Sequence, residues 1–267
     1  LGLVLLIKGG DWFVDGATGL ARRFHLPEII VGATVVSIGT TLPEVMVSTT
    51  GALNGQGAMA YGNAIGSIIC NTALIAAISL AVKPGPVDTK SMKMPVLFFF
   101  GAAAIYCVAA YVFGYFYWWL GLILLSIFAV YMVLTVRQGL KNPDAAHDEE
   151  ESESKPRKLW QELLLLVVGA ALIAVGADML EGSSVSLSLM AGIPTEVVGV
   201  TVVALCTSLP ELVTAVTALL KGHGALSLGN IIGANIFNLV LVSGVAVTLS
   251  PFQVPEGSTI FGFNTSL

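Results

Sequence analysis

Long apolar blocks separated by short polar stretches dominate this chain. Hydropathy, punctuated by glycine and proline, places eight spans at about 1–20, 27–53, 58–82, 94–113, 115–136, 159–190, 194–220 and 225–249. Blocks such as Leu163 to Ala177 and Leu97 to Ala110 are apolar almost throughout. A run of about 20 apolar residues matches the hydrocarbon thickness of a bilayer. The pattern predicts an all-α polytopic membrane protein. Several spans are rich in Gly, Ala, Ser and Thr, which let helices approach closely in lipid.

Composition sharpens this. Hydrophobic residues make up 55% of the 267 and charged residues 11%, with a mean hydropathy of +0.87. Soluble domains carry about 25% charged residues, so this chain is too apolar to face water, and no nucleic-acid partner is expected. The net charge of −5 is local, because Asp144 to Glu153 holds six acids in ten residues. That stretch reads as part of a solvated linker, 138–158. Cys70, Cys107 and Cys206 lie inside apolar spans and read as small packing residues rather than disulfide partners.

The loop charges set an orientation. With the first residue outside, the inner loops and their span ends hold eleven of the twelve Lys and Arg residues, all but Lys8, as the positive-inside rule asks. The N-terminus is then expected outside and the acidic linker inside. Tyr115 to Trp119 falls at the outer surface, where an aromatic belt is expected.

The chain also repeats itself. Shifted by 167 residues, segment 26–78 overlays 193–245 without a gap, with 22 of 53 positions identical. Pro43/Pro210, Glu44/Glu211, Gly62/Gly229, Asn63/Asn230 and Asn71/Asn238 are among them, and Asp11/Asp178 obeys the same shift. The repeat unit is five spans, an odd number, so equivalent spans cross the membrane in opposite directions. The first inverted repeat is read as 1–137, with its motif at 32–80, and the second as 159–267, with its motif at 199–247. The chain opens inside an apolar run without a Met, and its second half lacks spans matching 94–136. A fragment is therefore expected, carrying about eight of ten helices.

Glu44 and Glu211 sit near the middle of apolar spans, where an acid costs about 3 kcal/mol even on lenient insertion scales. A two-fold axis would bring them together, and neighbouring buried carboxylates repel unless a cation or proton lies between them. Gly39 to Glu44 reads GTTLPE and Cys206 to Glu211 reads CTSLPE. Proline leaves the carbonyl four residues back without its helical donor, here near Gly39 and Cys206. Freed carbonyls in a membrane must line a cavity or meet an ion. Carboxylates, carbonyls and hydroxyls make an all-oxygen shell suited to Ca²⁺ or Na⁺. The next span of each half adds Gly62, Asn63, Gly66, Ser67 and Asn71, or Gly229, Asn230, Gly233, Ala234 and Asn238. The paired glycines should allow close crossing against the acid-bearing span, where Ser67, Asn71 and Asn238 present oxygens to the same cavity. Asn63 and Asn230 read equally well as interhelical packing bonds.

These doubled motifs resemble the alpha-repeats of the sodium/calcium exchanger family, prokaryotic type, within the cation/calcium exchanger superfamily, and the resemblance covers essentially the whole chain. It implies that Glu44 and Glu211 are shared Ca²⁺ and Na⁺ ligands, with the carbonyls of Thr40 and Thr207 completing the calcium site. It also implies flanking sodium sites drawing on Ser37, Thr41, Ser67, Ala204 and Ser208, the first and fourth through backbone carbonyls. Asn71 and Asn238 would line the middle of the cavity. The family's full fold has ten helices, with two gating helices sliding over a rigid core.

Three positions depart from the family pattern. Ala234 stands where Ser is usual, Ile68 where Asn is usual, and Asn238 where many relatives have Asp. Two acids then carry the main negative charge of the site. The expectation is a secondary antiporter, not an enzyme and without a cofactor, exchanging Ca²⁺ for Na⁺ at one shared, alternately exposed site. It would lie in a bacterial or archaeal plasma membrane, and a monomer is compatible with these features. A Ca²⁺/H⁺ exchanger, in which protons neutralise the same acids, and a passive cation channel are the alternatives.

Overall fold

A computed structural model describes residues 1–82, 89–141, 157–192, 204–254, 259–260 and 263–264. The acidic stretch 144–153 and the start of the seventh expected span lie outside the described residues. Among the described residues, the helices longer than one turn are, in chain order, α1 (Gly2–Arg23), α2 (Glu28–Leu53), α3 (57–82), α4 (89–113), α5 (Trp118–Lys141), α6 (Leu159–Met190), α7 (Leu209–Leu220) and α8 (Gly224–Leu249). Among the described residues, α2, α3, α4, α5, α6 and α8 are long and apolar enough to cross a bilayer. Helix α1 has the length but carries Lys8, Asp11 and Asp15, and α7 is a shorter apolar helix. The protein is an α-helical polytopic membrane protein.

The 167-residue shift reappears in the helix bounds. Helix α3 runs from Gly57 to Val82 and α8 from Gly224 to Leu249, which are equivalent residues at both ends. Each is preceded by a glycine in the left-handed region, Gly55 (φ 76°) or Gly222 (φ 89°), where a side chain would be strained. Each also widens into a π-helical run near its middle, Cys70–Ile75 in α3 and Asn238–Val242 in α8. Such runs disturb the i→i−4 ladder and change which hydrogen bonds the carbonyls make. Ser243 Oγ donates to the Asn238 carbonyl at 2.9 Å, and Tyr106 Oη to that of Leu239 at 2.8 Å.

Contact register gives the relative directions. Gly2 meets Gly176, Gly9 meets Gly169 and Gly16 meets Glu162, so α1 and α6 run antiparallel, backbone against backbone. Gly2 and Gly9 are equivalent to Gly169 and Gly176 under the shift, so the first two contacts exchange with each other, the signature of a two-fold relation. Ser48 meets Ala60 and Asn63, making α2 and α3 an antiparallel hairpin. Gly229 lies against Ile29 and Ala33, and Gly233 against Ala33 and Ser37, so α8 runs parallel to α2. The equivalent helices α3 and α8 therefore point in opposite senses.

Two local features were not expected. Helix α2 continues through Pro43, whereas the matching segment breaks: a short helix, Ala204–Thr207, ends at Ser208 and α7 begins with Pro210 in its first turn. A helix start tolerates proline because its missing N–H had no intrahelical partner. In addition, β1 (Tyr115–Phe116) pairs antiparallel with β2 (Phe252–Gln253), and Thr259–Ile260 pairs with Phe263–Asn264. The aromatic belt is corrected at one position. Tyr117, Trp118 and Trp119 are exposed, but Phe116 is buried in an aromatic cluster with Tyr61, Tyr106 and Phe252. The three cysteines are free.

Candidate ion-binding site

Helices α2, α3, α7 and α8 carry the expected site residues. Glu44, in the middle of α2, and Glu211, in the first turn of α7, are each 0% exposed. Their carboxyl groups are near enough to interact electrostatically. Both oxygens of Glu44 and Oε2 of Glu211 are buried without a hydrogen-bond partner among the described residues. Glu211 Oε1 accepts from the Thr41 hydroxyl at 3.4 Å. Leaving a buried polar group unpaired costs about 1–3 kcal/mol, more when it is charged, so this pair is a poor structural element and a good place for a cation.

Neutral groups cluster around the acids. Ser67 lies beside Glu44, and Thr40 beside Glu211. Cys70 interacts with both acids and with Ser208, which places Ser208 in the same neighbourhood. The hydroxyls of Ser67 and Ser208 are buried and lack a hydrogen-bond partner among the described residues. Asn71 and Asn238 are fully buried at the π-helical runs of α3 and α8 with both amide atoms unpartnered, and no hydrogen bond among the described residues ties either to an acid. Thr207 is buried, and Ala204 opens the short helix before Ser208. Ser37 is buried and donates to the Gly32 carbonyl at 2.8 Å and the Asn230 carbonyl at 3.1 Å.

The motif prolines share a wall. Pro43 and Pro210 line one small cavity with Gly39 and Thr40, closed by Phe13 of α1 and by Ala170, Ile173 and Ala174 of α6. The expected close crossing holds for Gly229 and Gly233, which press on α2. Gly62 and Gly66 meet nothing within 4 Å among the described residues. The counterparts of Ile29 and Ala33 under the shift, residues 196 and 200, lie outside those residues.

Among the described residues, no three His, Cys, Asp or Glu side chains sit close enough to hold a metal together. A cation here would rest on two carboxylates and neutral oxygens, which suits a hard ion such as Ca²⁺ or Na⁺ rather than a thiophilic one. Asn63 and Asn230 both make the interhelical bonds that were one expected reading: Asn63 donates to Ser48 of α2, and Asn230 accepts from hydroxyls of α2. The family profile described as sodium/calcium exchanger protein matches residues 1–137 and 162–267.

The chain belongs to the sodium/calcium exchanger family. The sodium/calcium exchanger MaX1 of Methanosarcina acetivorans is 31% identical over 296 residues, covering 98% of this chain and 85% of that protein. A membrane protein of Methanocaldococcus jannaschii, MJ0091, is 36% identical over 241 residues, covering 90% and 76%. Among solved structures, the sodium-calcium exchanger NCX_Mj soaked with Na⁺ and Ca²⁺ superposes with a TM-score of 0.82 at 32% identity, covering 94% of this chain and 81% of that one. As a member of this exchanger family, the chain is a cation antiporter of the calcium-exchanging kind and an integral membrane protein, not an enzyme.

Proposed function

We propose that this exchanger moves Ca²⁺ against Na⁺ through a single site held by Glu44 and Glu211, exposed alternately to the two sides of the membrane. The observation that carries the reading is the burial of two interacting carboxylates at equivalent positions of the repeat, three of whose four oxygens lack partners among the described residues. One calcium or a few sodium ions relieve the same repulsion, so the two ions compete for it. The carbonyls of Thr40 and Thr207 complete the calcium shell in this proposal. Ser37, Thr41, Ser67, Ala204 and Ser208 serve flanking sodium ions, and Asn71 and Asn238 line the middle.

The opposed directions of α3 and α8, and the exchanged glycine contacts of α1 and α6, support inverted halves. Inverted halves carry alternating access naturally, because exchanging their conformations moves the opening to the other side. The basic loops support an outside N-terminus with the acidic linker inside.

The test is ⁴⁵Ca²⁺ uptake into vesicles holding the purified protein, with sodium inside and none outside. Strict dependence on the sodium gradient is the expected result. Equal uptake driven by a pH gradient in sodium-free buffer would reassign the counter-ion to H⁺, and calcium conductance without any counter-ion would overturn exchange.

A further inference from the structure

Asn230 is 0% exposed on α8, one residue beyond Gly229, where α8 lies tight against α2. Its Oδ1 accepts the Thr40 hydroxyl at 3.2 Å; the Ser37 hydroxyl lies 2.8 Å from the Gly32 carbonyl, 3.1 Å from the Asn230 backbone carbonyl and 3.5 Å from Asn230 Oδ1. The Thr40 hydroxyl has two other acceptors beside it, the Ser37 carbonyl at 3.5 Å and the Glu211 carboxylate. A hydroxyl has one proton to donate. Given to Glu211, that proton occupies an oxygen that a cation needs; given to Asn230, it leaves the oxygen free.

We propose that Asn230 is a positioning residue that holds the Thr40 hydroxyl away from Glu211 and so leaves that carboxylate available to the ion. The serine partners of the two equivalent asparagines differ, and the sequence explains why. The counterpart of Asn230 is Asn63, whose Nδ2 instead donates to Ser48 Oγ at 3.0 Å. Ser37, a partner of Asn230, corresponds to Ala204, which offers Asn63 no hydroxyl; Ser48, the partner of Asn63, corresponds to Ala215, which offers Asn230 none. Two serine-to-alanine differences therefore turn the two equivalent asparagines to different tasks. This inference rests on the reading of Glu211 as an ion ligand.

The experiment measures calcium binding to the purified full chain, by calcium-induced rise in melting temperature, alongside ⁴⁵Ca²⁺ uptake in vesicles. Asn230→Leu is expected to weaken apparent calcium affinity about tenfold, the size of one hydrogen bond to a charged group, with a smaller effect on the maximal rate. Adding Thr40→Val removes the competing hydroxyl and should recover most of the lost affinity, which a merely structural role for Asn230 would not allow. A double variant that binds calcium no better than Asn230→Leu would overturn the proposal, as would unchanged affinity in Asn230→Leu. If the leucine variant does not fold, Asn230→Ala, alone and with Thr40→Val, carries the same comparison. Failure of the unaltered chain to bind calcium would instead sink the ion-site reading itself.

Discussion

Thr41 of α2 donates its hydroxyl to Oε1 of Glu211 on α7 at 3.4 Å, joining the two halves at the acid itself. Its counterpart under the repeat, Ser208, makes no such bond, and both oxygens of Glu44 are unpartnered among the described residues. The site is therefore lopsided: Glu211 is held from the opposite half and Glu44 is not. Two halves in different conformations have this relationship, and a swap of their roles would move the support from one acid to the other.

Neutralising either acid should separate stability from function. Glu44→Gln and Glu211→Gln each remove a charge from a buried, repelling pair, so the ion-free protein should melt higher than the unaltered chain. Calcium should no longer raise its melting temperature, and sodium-driven ⁴⁵Ca²⁺ uptake should fall by at least about tenfold, or 1.4 kcal/mol of binding. Retained uptake in either variant would remove that acid from the site.

Much of this architecture was legible in the chain because the repeat carries structural information twice. The expected spans 58–82 and 225–249 are equivalent under the 167-residue shift, and the helices run from Gly57 to Val82 and from Gly224 to Leu249. Burial of Glu44 and Glu211 followed from their place inside apolar spans. What identical motifs conceal is asymmetry. Pro43 and Pro210 stand in matching sequences, yet α2 runs through the first and the chain breaks before the second. That choice belongs to packing around the motif, which a local pattern does not encode. The buried Phe116 was hidden for a related reason, since a run of aromatics at a span end reads as a belt until tertiary contacts select one member.

The contact of α8 with α2 should tolerate no added carbon. A methyl at Gly229 would press into the Ile29 carbonyl and the Ala33 backbone, and overpacking of this kind costs about 1–3 kcal/mol. Gly229→Ala should therefore lower the melting temperature and weaken calcium binding, since Asn230 is its neighbour. Gly101→Ala, which meets nothing within 4 Å among the described residues, should be neutral or gain up to about 1 kcal/mol from helix propensity. Equal melting temperatures for the two variants would contradict this packing.

Lys221, just past the end of α7, reaches α1 through Asp15 Oδ1 at 2.7 Å, Asp11 Oδ1 at 3.5 Å and the Asp11 carbonyl at 2.8 Å. These side chains are about a third exposed, so water screens them, and each exposed pair contributes about 0.2–1 kcal/mol. Lys221→Met should lower the melting temperature slightly at low ionic strength and not at all at high. The titration needs choline chloride, because sodium would bind the site and mask the effect. A salt-independent loss would point to packing of the lysine stem instead.

Ala234 tests whether the lopsided site limits sodium binding. It is fully buried on α8 and corresponds to Ser67, the hydroxyl that lies beside Glu44. Glu211 therefore has no equivalent of the Ser67 hydroxyl on the next helix of its own half. Ala234→Ser adds one oxygen, and a neutral hydrogen-bonding group contributes about 0.5–1.5 kcal/mol, or roughly a two- to tenfold gain in sodium affinity. Read as sodium competition against calcium binding, the variant should need less sodium to displace the same calcium, with calcium affinity in sodium-free buffer changed less. The added oxygen also has to fit a tight position, so the ion-free melting temperature must be measured alongside. Unchanged sodium competition in a stably folded Ala234→Ser protein would remove this position from the sodium sites.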